Sequence, residues 1–95
     1  MSFDVEIAGV GMHPFGRFED RSLVDLGVTA VREAMAEAGI GPGGFQAAFC
    51  GTAYGGVATG HRVLGALALT GTPIVDVEAG CASGGAALQL GAQAI

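Results

Sequence analysis

No lysine and no tryptophan occur in this 95-residue chain, and its four arginines are scattered. With no basic cluster and a net charge of -5, the chain lacks the electrostatic footprint of a nucleic-acid binder, and that function class is set aside. Charged residues make up only 14% against 51% apolar, whereas an ordinary soluble domain carries about 25% charged. So much apolar surface exceeds what 95 residues hide alone, which favours the first part of a larger unit over one small domain. Missing too is any apolar run near the ~18 residues of a spanning helix. The opening MSFDVEIAG is acidic where a secretory leader is basic and then apolar. The chain therefore reads as soluble and cytoplasmic, with no membrane span. Its two cysteines, Cys50 and Cys81, are expected as reduced thiols and not as a structural disulfide. Glycine, at 18 residues, is abundant, but it punctuates periodic apolar segments without a repeat, so a compact fold is expected.

Along the chain, FDVEIAGV (residues 3–10) alternates and then becomes apolar, predicting a first strand. GMHPFGRFEDR, with Pro14 and two glycines, predicts a loop. Ser22, with Asp25 three residues on, is a helix N-cap, and Leu23, Leu26, Ala30, Val31, Ala34, Met35 and Ala38 fall on one stripe. Gly39, Gly41 and Pro42 stop that helix. FQAAFCGT predicts a buried second strand, and Thr59 is read as the cap of a second helix through about Leu69, with Val63, Leu64, Leu67 and Ala68 inward. After TGTP, PIVDVEA is the third strand, and a third helix, apolar nearly all round, opens at about Ala82. This order implies an α/β fold, a βαβαβα layered arrangement with mostly parallel strands. Parallel sheets are covered on both faces, so cover for the third helix is expected from outside these residues.

The junction in VDVEAGCASGGAAL holds the main chemical signal. A thiolate is the reactive form of cysteine, and it is favoured at a helix N-terminus among unpaired backbone N–H groups. Cys81 is placed there, at the carboxyl end of a strand, where α/β sheets hold ligands. Ala82, Ser83, Gly84 and Gly85 keep the next turn small, and its N–H groups can face an oxyanion. A cysteine in an apolar segment is most often a small core residue, so spacing alone leaves packing and catalysis both open.

The whole segment VDVEAGCASGGAALQLGAQAI resembles that around the acylated cysteine of the thiolase superfamily, in the branch of sterol-carrier-protein-type thiolases and lipid-transfer proteins. There a C-[AS]-[ST]-G pattern opens a buried helix after the third strand. IAGVGMHPFGRF resembles the IVGVGMTPFGRF-type opening of the same branch, and AMAEAGI and AAFCGT follow in the family's order. The resemblance implies the N-terminal portion (residues 1–95) of the N-terminal domain of a thiolase fold, with the remainder absent. It implies an acyl-coenzyme A acyltransferase in which Cys81 carries the acyl group as a thioester, in thiolytic cleavage or Claisen condensation, its backbone N–H an oxyanion donor. Coenzyme A is then a co-substrate, no cofactor is tightly bound, and a homodimer is the expected state. The family keeps its catalytic histidine and second cysteine in its second half, so this chain alone is expected to be inactive: a truncated product, a partial gene, or a fragment held by complementing chains. Two alternatives accompany this reading: a thiolase-like retro-aldolase acting on steroid side-chain acyl-coenzyme A with a DUF35-type OB-fold partner, and a non-catalytic lipid-binding or interaction module.

Other residues read more plainly. His13 and His61 are expected in surface or hydrogen-bonding roles, and Cys50 in core packing or in support behind the site. Tyr54 belongs to a turn, with a dimer interface or substrate entrance as the functional alternative. Gly9-Val10-Gly11 fits the start of a dinucleotide motif, but Pro14 occupies the place of its third glycine. The two cysteines and two histidines lack the close spacing of a zinc site. Asp76 and Glu78 share a strand face and are expected to be solvated or paired, with Arg62 or another chain as partner.

Overall fold

The computed structural model describes residues 4–69 and 71–95. Phe3, assigned above to the first strand, and Thr70, in the TGTP turn, lie outside them. Helix α1 spans Leu23–Ala38. It starts where expected: Ser22 Oγ accepts from the Asp25 N–H and the Asp25 carboxylate accepts from the Ser22 N–H, both at 3.1 Å, a capping box. The backbone bond from Ser22, followed by the bond to its hydroxyl, holds the Asp25 carboxyl below the usual carboxylate range. The helix stops at Gly39, whose left-handed conformation (φ 69°) turns the chain out of it.

Strands β1 (Ala48–Gly51) and β2 (Ile74–Val77) pair in parallel, from Ala48 opposite Ile74 to Gly51 opposite Val77. Both are shorter than the apolar runs that predicted them. Helix α2 (Thr59–Gly65) and helix α3 (Ser83–Gln93) cover opposite faces of this pair. Gly60 lies against Cys50, Ile74 and Asp76, while Gly51 abuts the backbone of Ser83 and the Phe49 ring lies beside Gly91. Because strand side chains alternate between faces, Ala48 and Cys50 look toward α2 and Phe49 toward α3. The core is Val63, Leu64 and Leu69, closed over by Val28, Val31 and Met35 from α1 and by Phe45, Ala48 and Ile74. The α/β layering with parallel pairing predicted from the sequence is present.

The first strand is not. Residues 4–10 form no strand, and Ile7 is 70% exposed. Gly9 and Gly11 seat this segment directly on α1, so close that a Cβ at either would meet the backbone of Ala34 or Ala30. Its contacts go to a helix, whereas a strand needs a neighbouring ladder.

Two corrections concern α2. Thr59 is not its cap: it lies inside the helix, buried, and its hydroxyl donates to the Gly56 carbonyl at 3.0 Å. The residue at the cap position is Ala58 in a left-handed conformation (φ 58°), with no side-chain bond to the helix. Asp76 of β2 supplies what is missing, since its Oδ1 accepts from the Gly60 N–H at 2.6 Å and its Oδ2 meets His61 Nδ1 at 3.2 Å. A carboxylate at a helix N-terminus satisfies an orphan donor and the helix dipole together. Replacing Asp76 by alanine is expected to destabilise the fold by about 1–2 kcal/mol, read as a lower urea midpoint, with Asp76→Asn recovering part of the loss.

The second correction is that α2 ends at Gly65, four residues before Leu69. Ala68 then takes a left-handed conformation (φ 60°) and points to solvent, not inward. That turn swings Leu69 back into the core, where its N–H bonds the Leu64 carbonyl at 3.0 Å. On α3, Ser83 and Ala87 are buried, yet Leu88 is 66% exposed and Ile95, just past the helix, 85%. Its apolar outer side is bare, as its composition foretold. Among the described residues no helix is long and apolar enough to cross a membrane.

Candidate active site

Cys81 lies in the turn between β2 and α3, solvent-exposed and reduced. The chain leaves β2 at Val77, and the Glu78 carboxylate accepts from the Gly80 N–H. Gly80 adopts a left-handed conformation (φ 58°), which reverses the chain into the helix. The Ala82 N–H closes the turn on the Ala79 carbonyl at 3.1 Å. Helix α3 starts at Ser83, one residue later than expected, with Ala82 at the cap position and no side-chain cap. The first turn of α3 is open: a Cβ on Gly80, Gly84 or Gly85 would meet nothing within 4 Å among the described residues. The thiol thus emerges at the carboxyl end of a strand beside the start of a helix, as the sequence predicted.

The other candidates are placed away from this turn. Cys50 is half-buried on the α2 face of β1, and burial first, then the charge of Asp76, push its thiol up. A thiol so placed is a poor nucleophile. His61 is tied to Asp76 on that same face. His13 bonds the Pro14 carbonyl at 2.9 Å and packs edge-on to Phe18, ring centroids 4.6 Å apart. Asp76 and Glu78 serve different structures, the α2 terminus and the Gly80 turn, and do not act as a pair. Arg62 is occupied by the Gly55 carbonyl and by Thr59 Oγ1, so the expected Arg62–Asp76 pairing gives way to His61–Asp76. Tyr54 is fully exposed, in a loop pinned by the Gly55 N–H on Thr52 Oγ1 at 3.2 Å. No group of three metal-ligating side chains is present among the described residues.

Concavity and chemistry do not coincide. The larger cleft, about 960 Å³, opens between α1, β1 and α2 and is lined by residues such as Leu26, Cys50 and Val63. A second groove of about 670 Å³ runs between residues 5–9, α1 and α3 over Phe49 and Gly51. Cys81 lines neither. The turn and its open face, not a cleft, mark the candidate site.

Sequence reading missed the role of Ser83. This side chain, 6% exposed, accepts from the Ala79 N–H at 2.8 Å and sits 2.7 Å from the Gly80 carbonyl. The available signal was a hydroxyl inside an apolar first turn, since a buried hydroxyl needs partners.

Residues 5–95 match the family model described as thiolase, N-terminal domain. The chain belongs to the thiolase family. It is 36% identical over 94 residues to sterol carrier protein 2 of Gallus gallus, covering 96% of this chain and 17% of that protein. Over 88 residues it is 42% identical to benzoylsuccinyl-CoA thiolase subunit BbsB of Thauera aromatica, covering 90% of this chain and 23% of that one. This chain therefore spans a fifth or so of the length of these thiolase-family relatives. Its fold matches the crystal structure of Acat5 thiolase from Ascaris suum in complex with coenzyme A with a TM-score of 0.79, at 23% identity, over 93% of this chain and 25% of that one.

Proposed function

We propose that this chain is the N-terminal portion of a thiolase-type acyltransferase in which Cys81 accepts the acyl group. The observation that carries this reading is an exposed thiol at a glycine-opened strand-to-helix turn in a chain of the thiolase family. In the step proposed, the Cys81 sulfur bonds the substrate carbonyl carbon and gives a tetrahedral oxyanion. Its collapse breaks either the bond to the coenzyme A sulfur or the bond to the α-carbon, and the expelled thiolate or carbanion takes up a proton. The acyl group remains as a thioester on Cys81, so one hard transfer becomes two easier ones. The acyl-coenzyme A substrate class is supported by the names of the relatives, a benzoylsuccinyl-CoA thiolase among them and a thiolase solved with coenzyme A.

The proton acceptor for the thiol and the donor for the leaving group are proposed to lie in the part of the relatives' length that this chain does not span. His13 and His61 are engaged elsewhere, and the 95 residues alone are expected to be inactive. The same remainder, or the second subunit of a homodimer, is proposed to cover the bare side of α3.

Cysteine-resolved labelling of the full-length protein tests this reading. Iodoacetamide is expected to reach Cys81 faster than Cys50, because Cys81 is exposed, whereas burial shields the Cys50 thiol and, with the charge of Asp76, disfavours its thiolate. Incubation with an acyl-coenzyme A is expected to leave the acyl mass on the peptide holding Cys81. Equal, slow alkylation of both thiols, or an acyl-free Cys81 peptide, overturns the reading.

A further inference from the structure

We infer that Ser83 is a positioning residue that aims the backbone N–H of Cys81 at the developing oxyanion; this rests on the acyl-transfer reading above. The argument starts from one hydroxyl with three backbone neighbours. Ser83 Oγ accepts from the Ala79 N–H at 2.8 Å and has two carbonyls within reach, Gly80 at 2.7 Å and Thr52 at 3.5 Å. A serine hydroxyl has one proton to give. The shorter contact takes it, so Ser83 donates to the Gly80 carbonyl and Thr52 is left with at most a weak share.

That carbonyl belongs to the peptide that joins Gly80 to Cys81. The peptide is planar and trans, with C=O and N–H pointing in opposite directions. Fixing the Gly80 oxygen therefore fixes the direction of the Cys81 N–H. No other side chain bonds this oxygen among the described residues; its second partner is the Ser83 N–H at 3.3 Å, a longer contact. Gly80 itself is in the left-handed region, where glycine is most free to swing. Without the Ser83 hydroxyl, the peptide carrying the proposed oxyanion donor is held by one long bond next to the most permissive residue of the turn. Ser83 is buried beneath this turn and does not face the open side where substrate would approach, so it acts through the backbone and not on substrate.

Two reactions of one thiol separate this role from simple support. Acylation by an acyl-coenzyme A passes through an oxyanion, whereas alkylation by iodoacetamide does not form one at a carbonyl. Removing a whole oxyanion donor costs about 10²–10³ in rate. Misaiming one in full-length Ser83→Ala is expected to slow acylation of Cys81 by about 10–100-fold, with KM within about twofold. Alkylation of Cys81 is expected to stay within about twofold, and Cys50 to stay protected. Ser83→Thr keeps the hydroxyl and is expected to restore acylation. Unchanged acylation in Ser83→Ala overturns the inference. So does a Cys50 that labels as fast as Cys81 with acylation lost in proportion, because that is a folding defect. A wild-type Cys81 that takes no acyl group overturns the acyl-transfer reading, and the inference with it.

Discussion

Replacing Cys81 by alanine is expected to lower turnover of an acyl-coenzyme A by the full-length protein on the order of 10⁴–10⁶-fold, the scale on which covalent enzymes respond to loss of their nucleophile. Among the described residues no nearby group is placed to substitute. Cys50 lies on the opposite, α2-facing side of β1, its thiol raised by burial and by Asp76. Stability should hardly move, because the Cys81 side chain is exposed and packs into no core cluster. The variant thus separates chemistry from folding: a steady-state assay reports the loss, and an unchanged urea midpoint shows that the loss is chemical. Cys81→Ser is expected to stay within about tenfold of the alanine variant, because an alkoxide is far harder to form at neutral pH than a thiolate. A variant lacking Cys81 that retained more than about a tenth of wild-type turnover would carry its chemistry on another side chain. The retro-aldolase alternative would then gain what the acyltransferase lost.

What could be read in advance follows the range of the forces involved. Helix α1 was legible at both ends because its signals are local: Ser22 and Asp25 bond each other across three residues, and Gly39 takes a left-handed conformation that residues with a Cβ rarely adopt. The strand-to-helix turn that holds Cys81 was legible for the same reason, since an apolar run, a glycine, a thiol and small residues define it within a dozen positions. In two of the failures a distant group decides. Val5 and Ile7 alternate like a strand, but alternation reports which side is wetted and not whether a ladder neighbour is present. The segment instead lies along α1 on Gly9 and Gly11. Thr59 looks like a cap from its own neighbourhood, yet the cap arrives from Asp76, sixteen residues beyond Gly60 and in another element. The end of α2 depends on an alanine in the left-handed region, which no propensity announces. Ser83 was missed although its bonds to Ala79 and Gly80 are local, because they depend on the exact turn at Gly80 and not on residue type.

Gly51→Ala is expected to damage the fold and the candidate site together. A Cβ at Gly51 would sit 2.5 Å from the Ser83 oxygen, 2.6 Å from its carbonyl carbon and 2.7 Å from the Gly84 nitrogen. All three are backbone atoms of the first turn of α3, so no rotamer change relieves the clash, and strand end and helix must separate. Overpacking of this kind costs about 1–3 kcal/mol, occasionally more, and it should appear as a lower urea midpoint with an unchanged denaturant slope. Gly65→Ala is the matched control: it ends α2 with nothing within 4 Å of an added Cβ among the described residues, and it should be neutral or slightly stabilising. The damage at Gly51 should also reach the chemistry. Lifting the start of α3 carries Ser83 away from the Ala79 and Gly80 backbone and frees the peptide that bears the Cys81 N–H. Acylation should therefore fall by more than the unfolded fraction accounts for, while alkylation of Cys81 in the folded fraction stays near wild type. A Gly51→Ala protein with a normal midpoint and normal acylation would mean that the close seating of β1 on α3 sets neither the stability of the fold nor the geometry of the thiol. Loss of both would place the glycine that ends β1 and the thiol that follows β2 under one constraint: the strand finishes without a side chain so that the helix can start beside the Cys81 turn.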